Sequence, residues 1–138
     1  MSYATRRSPG ARGIAHTYSN IGLETEVLSA SPEKLITLLL DGARAAIARA
    51  KLYMEEGNIP ARGQSISKAL DIIENGLKAC LDMEKGGEIA VNLRNVYELA
   101  SHSLLLANLN ADIERLDVAD RLLADIADAW RAVTGKGS

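Results

Sequence analysis

The chain has 138 residues, 47% hydrophobic and 25% charged, with a formal net charge of −2. That is one domain's length, with apolar material enough for a core that needs no disulfide or metal staples. Aromatics are only 4%, Phe is absent, Ala and Leu carry the apolar share, and Cys80 stands alone, which argues against a β-sandwich or barrel, a disulfide framework, a multi-cysteine metal site and a global positive field for nucleic acid.

Residues 1–30 read as an arm. Pro9, Gly10, Gly13 and Gly22 break any regular period. Arg6, Arg7 and Arg12 precede no hydrophobic segment of the kind a secretory signal needs. No apolar run approaches the ~20 residues that span a bilayer, so membrane insertion is not expected. Residues 31–138 read as a second unit, an all-α, antiparallel up-down four-helix bundle.

Its first helix starts at Ser31-Pro32-Glu33, where Ser caps free N–H groups, Pro fits the first turn and Glu suits the positive end of the dipole. It runs to about Glu56, before Gly57. Leu35, Leu39 and Ala46 lie on one stripe and Ile36, Leu40, Ala43 and Ile47 on its neighbour, the 3.6-residue period of a wide amphipathic helix. The second helix is expected from Asn58 or Pro60 to about Met83, with Ile66, Ala69, Ile73, Leu77, Cys80 and Leu81 inward. Gly86-Gly87 breaks the chain. The third begins near Glu88, with Ile89, Leu93, Val96, Tyr97, Ala100, Leu104 and Ala107 inward. Asn108–Asp112 form a turn, with Asp112 as cap. The fourth runs to about Val133 on Leu116, Ala119, Leu123, Ile126, Trp130 and Val133. Short connections between long helices imply antiparallel neighbours.

Catalytic chemistry finds little to stand on. His102 follows Glu98 by four residues, whereas the bundle di-iron motif wants Glu-x-x-His twice. Gly135-Lys136-Gly137-Ser138 lacks the strand, spacing and following helix of a phosphate loop. Glu84 and Glu88 flank an exposed turn, and Cys80 has no His near it and sits on an apolar stripe as an inert thiol. No cofactor, metal or catalytic residue is expected.

Surplus apolar surface is the feature that asks for a partner. Helix two carries a second stripe, Ile72, Gly76, Ala79 and Met83, roughly 100° or more from its core stripe. Helix three adds Leu99 and Leu106, and helix one adds Leu38, Ala45 and Leu52. One explanation is packing among all four helices. The other is a groove that receives apolar helices of a partner, with Leu38, Ile72, Ala79, Met83, Leu99 and Leu106 as its contacts. Tyr18, Ile21 and Leu23 of the arm would then cover it when empty and be displaced on loading, so that the arm reports occupancy.

Ser29-Ala30-Ser31-Pro32-Glu33-Lys34-Leu35-Ile36 with Leu39-Leu40-Asp41-Gly42-Ala43, then Lys68-Ala69-Leu70-Asp71-Ile72-Ile73-Glu74-Asn75-Gly76-Leu77, resemble the flagellin export chaperones of the FliS family. So do Leu81-Asp82-Met83-Glu84-Lys85-Gly86-Gly87-Glu88-Ile89-Ala90, Leu105-Leu106-Ala107-Asn108-Leu109 and Ala129-Trp130, in that order and spacing. The chain departs at Leu40, where an aromatic is common, at Ile113, where Pro is, and after Tyr97, where a second Tyr and a Met are usual. The resemblance implies a cytosolic, non-enzymatic chaperone. It would bind the disordered C-terminal region of flagellin, prevent premature polymerisation and help deliver it to a component of the flagellar export gate. The alternative is a self-associating bundle, a structural or regulatory adaptor whose extra stripes form a homodimer interface without flagellin.

Overall fold

The computed structural model describes residues 31–135. The arm, with Tyr18, Ile21 and Leu23, and the tail from Lys136 lie outside the described residues.

Helix α1 spans Pro32–Glu56. The Ser31 hydroxyl accepts from the Lys34 N–H at 3.2 Å, satisfying one of the first-turn donors as expected. Gly57, at φ 75°, closes the helix. Helix α2 spans Ile59–Ile72, and the Asn58 side chain accepts from Ala61 N–H at 3.2 Å at its start. It then changes character rather than continuing to Met83: Ile73–Leu77 form a π-turn and Lys78–Cys80 a 3₁₀ turn.

Two sets of contacts are made where the helix changes character. Gly76 packs directly on α1, where a Cβ would lie 2.9 Å from Leu39 Cδ2. The π-turn residue Glu74 is held from two sides, accepting from Ser101 Oγ at 2.7 Å and from Lys78 Nζ at 2.9 Å. Beyond Cys80, the Asp82 carboxylate accepts from the N–H groups of Glu84 at 3.1 Å and Lys85 at 2.9 Å, a turn that competes with helix. Of the following pair, the first has no room for a side chain and the second takes a conformation that glycine favours. A Cβ on Gly86 would meet the Asp82 carbonyl oxygen at 2.6 Å, and Gly87 sits at φ 54°.

Helix α3 spans Gly87–Asn110, three residues longer than the inward stripe suggests. Asn108, expected in a turn, is clamped by α2: Arg62 donates through Nε to its side-chain oxygen and through Nη2 to its carbonyl, both at 3.1 Å. Helix α4 spans Ile113–Thr134, capped by Asp112 as expected, whose carboxylate accepts from Glu114 N–H at 3.1 Å.

The four described helices form a ring in which α1 packs on α2 and α4, and α3 packs on α4 and α2. That is the up-down-up-down bundle. Its core runs from Leu39 and Ala46 on α1 through Ile66 and Ile73, Ala100 and Leu104, to Leu116 and Leu123 on α4. Arg44 meets Asp120 through two hydrogen bonds of 2.9 and 3.3 Å, and Lys51 meets Asp117 at 3.1 Å, fixing the register of α1 against α4. The bond to Asp120 raises the Arg44 pKa above its ordinary value. Both pairs are solvent-screened and contribute register more than stability.

Candidate partner-binding groove

The inward stripes change in size along the bundle. At the end where α1 meets α2 and α3 meets α4, the small residues Ala46, Ala50, Ala69, Ala107 and Ala119 stand among Ile47, Ile66, Leu104 and Leu116. Small side chains let helices approach closely, and there the stripe is sealed. At the opposite end the same stripes carry Ile36, Leu77, Leu81, Ile89, Leu93, Val96, Ile126, Trp130 and Val133. Bulky residues hold the helices apart, and between α3 and α4 they leave a groove of about 580 Å³.

Every helix of the ring, or the turns that extend it, contributes to the walls. Ile89, Leu93, Val96 and Tyr97 come from α3, and Leu122, Ile126, Trp130 and Val133 from α4. Leu77 of the π-turn, Cys80 of the 3₁₀ turn and the adjoining Leu81 supply the floor, with Ile36 of α1 behind. Asp125 is the one charged residue among the described lining. The splay shows in the exposures: Ile89 at 72% and Val133 at 70% sit on inward stripes yet face outward space, whereas Leu104 and Leu116 on the same stripes are fully buried. Trp130 secures one wall, its indole N–H donating to the Glu33 carbonyl oxygen at 3.1 Å. The early end of α2 and the Asp82–Gly87 turn position the other.

The chemistry of the groove is that of an apolar receptor. Burial pushes the Cys80 thiol up, so it is protonated and inert near neutrality. Tyr97 is 3% exposed, and burial, with Cys80 beside it, pushes its phenol up to about 12. Among the described residues no group of three His, Cys, Asp or Glu side chains is placed to hold a metal ion. His102 and the Glu84 and Glu88 side chains are exposed. No described helix is long and apolar enough to cross a membrane.

The residues that the sequence nominates as contacts do not line this groove. Leu38 and Ile72 are buried, Ile72 completely, and belong to the interior. Each helix of the ring has two neighbours, and packing consumes Leu38 and Ile72 while Ala45 and Leu52 of the α1 stripe stay exposed; this corrects the placement of Leu38 and Ile72 on a surface. Ala79 and Met83 are exposed beside the groove floor, Met83 on the connection beyond the helix. Leu99 is 59% exposed and Leu106 half-buried, on the outer side of α3, with Leu99 one turn beyond Val96. Ile89, Leu93, Val96, Ile126, Trp130 and Val133, which periodicity places wholly in the core, are the residues that line it. The readable signal is the set of large apolar residues that the inward stripes of α3 and α4 carry at this end, Ile89, Leu93 and Val96 against Ile126, Trp130 and Val133.

A family model described as flagellar protein FliS matches residues 14–137. The flagellar secretion chaperone FliS of Salmonella typhimurium is 47% identical over 128 residues, covering 93% of this chain and 94% of that one. The flagellar secretion chaperone FliS of Escherichia coli is 43% identical over 114 residues, 83% of this chain and 84% of the relative. That of Vibrio cholerae is 36% identical over 119 residues, 86% and 87% respectively.

Proposed function

The chain belongs to the FliS family of flagellar proteins, and from that premise we propose that its splayed bundle end is where a flagellin is held for secretion. It is a flagellar secretion chaperone, not an enzyme. The captured part is the C-terminal region of flagellin, which is apolar once helical and self-associates when free. Held in the cytosol by the chaperone, it does not polymerise before delivery to the export gate.

The observation that carries this reading is the groove itself, about 580 Å³ and built from the inward stripes of helices that do not close on one another. A helix inserted there completes the bundle. Ordering a disordered segment costs about 2–5 kcal/mol and association about 4–15 kcal/mol, so at ~25 cal/mol per Å² roughly 240–800 Å² of apolar burial is needed to break even. A single groove of this size supplies part of that. A segment that runs on over Ala79, Met83, Leu99 and Leu106 supplies more, which keeps those residues as outer contacts. Leu38 and Ile72 act from beneath, shaping the helices that bear them.

The test is titration of the purified chain with flagellin, intact and lacking its C-terminal region, followed by calorimetry. Saturable binding with a negative heat-capacity change to the intact protein, and none to the truncated one, is expected. Equal binding to both would remove the assignment of the C-terminal region. A concentration-dependent dimer indifferent to flagellin would favour the self-associating reading.

A further inference from the structure

Tyr97 carries a hydroxyl that no described residue uses. The side chain is 3% exposed and lines the groove, and no described residue within hydrogen-bond distance pairs with it. Cys80, with which it interacts electrostatically, lines the same groove, so the phenol lies beside the floor. Neighbouring polar side chains are already committed: Ser101 donates to Glu74, Ser103 donates to the Arg115 carbonyl oxygen, and Trp130 donates to Glu33. A buried polar group left unpaired costs free energy that a phenylalanine would not. Apart from Asp125 the groove is apolar, so an occupant that brings an acceptor to this point gains a hydrogen bond in a low-dielectric setting, and one that does not leaves the hydroxyl unpaired.

We infer that Tyr97 is the specificity-determining residue of the groove, donating its hydroxyl hydrogen to a side-chain oxygen of Ser, Thr, Asn or Gln on the apolar face of the captured helix. Mid-helix carbonyl oxygens already accept from N–H groups four residues on, so a side-chain oxygen is the acceptor an inserted helix has free. One polar residue in an otherwise apolar stripe then sets the register, as a single buried polar position does in a coiled coil. Sliding the helix by one turn would leave both the phenol and the partner's polar group unpaired.

The inference rests on the proposed capture of flagellin's C-terminal region, and the experiment separates the two. Binding of a peptide of that region is measured for the intact chain and for Tyr97→Phe, with each Ser, Thr, Asn and Gln of the peptide changed to Ala in turn. Tyr97→Phe keeps the ring, so its melting temperature should equal or exceed that of the parent while its affinity falls about 3- to 10-fold. One peptide position should weaken binding by a similar factor in the parent and have no further effect in Tyr97→Phe. Unchanged affinity of Tyr97→Phe, or additive effects at every peptide position, would overturn the role of Tyr97 while leaving capture standing. Should Tyr97→Phe unfold, the peptide series on the parent protein decides the matter alone: no single sensitive polar position overturns the inference. No binding of the unmodified peptide would remove the capture reading itself, and this inference with it.

Discussion

At the scale of single residues, two side chains report on the groove without belonging to its apolar mass. Cys80 is the chain's one cysteine and lines the floor. Its raised pKa and partial burial predict slow alkylation at pH 7.5, slower again by about tenfold once flagellin fills the groove, which mass spectrometry reads directly. Unchanged protection would place the partner elsewhere. Tyr97 gives a pH signature. Its phenol titrates near 10 when unfolded and near 12 in the fold, so the fold favours the protonated form. The stabilising contribution is complete below about pH 10 and is lost as pH rises from about 10 to 12, on the order of 2 kcal/mol. Denaturant midpoints between pH 8 and 11.5 should fall, and Tyr97→Phe should flatten the fall. Periodicity marks both residues as inward-facing, and both are. It does not mark the stripe they occupy as open, because the period of a helix states which side is apolar and not how far away its neighbour stands.

At the scale of elements, caps and turns are the easiest to read. Ser31 and Asp112 both cap as their positions lead one to expect, since a short oxygen-bearing side chain ahead of an apolar period has few other uses. The end of α2 is harder. Gly76 stands out in the sequence as a position where close approach could offset a poor helix former, and that approach is present, against Leu39. The π-turn around it is not legible, because inserting one residue into a helical turn leaves no mark in the periodicity of five residues. The glycines of α2 and its π-turn therefore predict opposite outcomes. A methyl group at Gly63 meets nothing within 4 Å, so Gly63→Ala should stabilise by up to about 1 kcal/mol through helix propensity. Gly76→Ala gains the same propensity but drives a methyl into the fully buried Leu39, and overpacking of about 1–3 kcal/mol leaves it neutral to destabilised by about 2 kcal/mol. Urea denaturation of the two variants should shift midpoints in opposite directions or move Gly63→Ala alone. Equal stabilisation would show that Leu39 yields freely.

At the scale of the molecule, the described helices are closed at one end of the bundle and leave a groove at the other. The closed end is secured by Arg62 on Asn108 and by small residues facing one another across the ring. At the open end large side chains face a space they do not fill. The sequence pattern puts surplus apolar stripes on the outside of the helices. The largest surplus is inside, made of residues with every sequence credential of core, and only the separation of α3 from α4 turns them into surface. This places the sensitive positions for capture at that end. Ile89 and Val133 are mostly exposed, so Ile89→Asp and Val133→Asp should leave stability within about 0.5 kcal/mol. Each puts a carboxylate where an apolar helix must pack, and burying it unpaired should weaken flagellin binding by about tenfold or more. Leu109→Asp changes an equally exposed leucine at the closed end and should leave binding untouched. Leu99→Asp distinguishes how far the partner extends: a loss comparable to that of Ile89→Asp means the segment runs from the groove along the outside of α3, and no loss confines it to the open end. If Leu109→Asp alone impaired binding, the receptor would lie at the sealed end and the reading of the unfilled groove would fail.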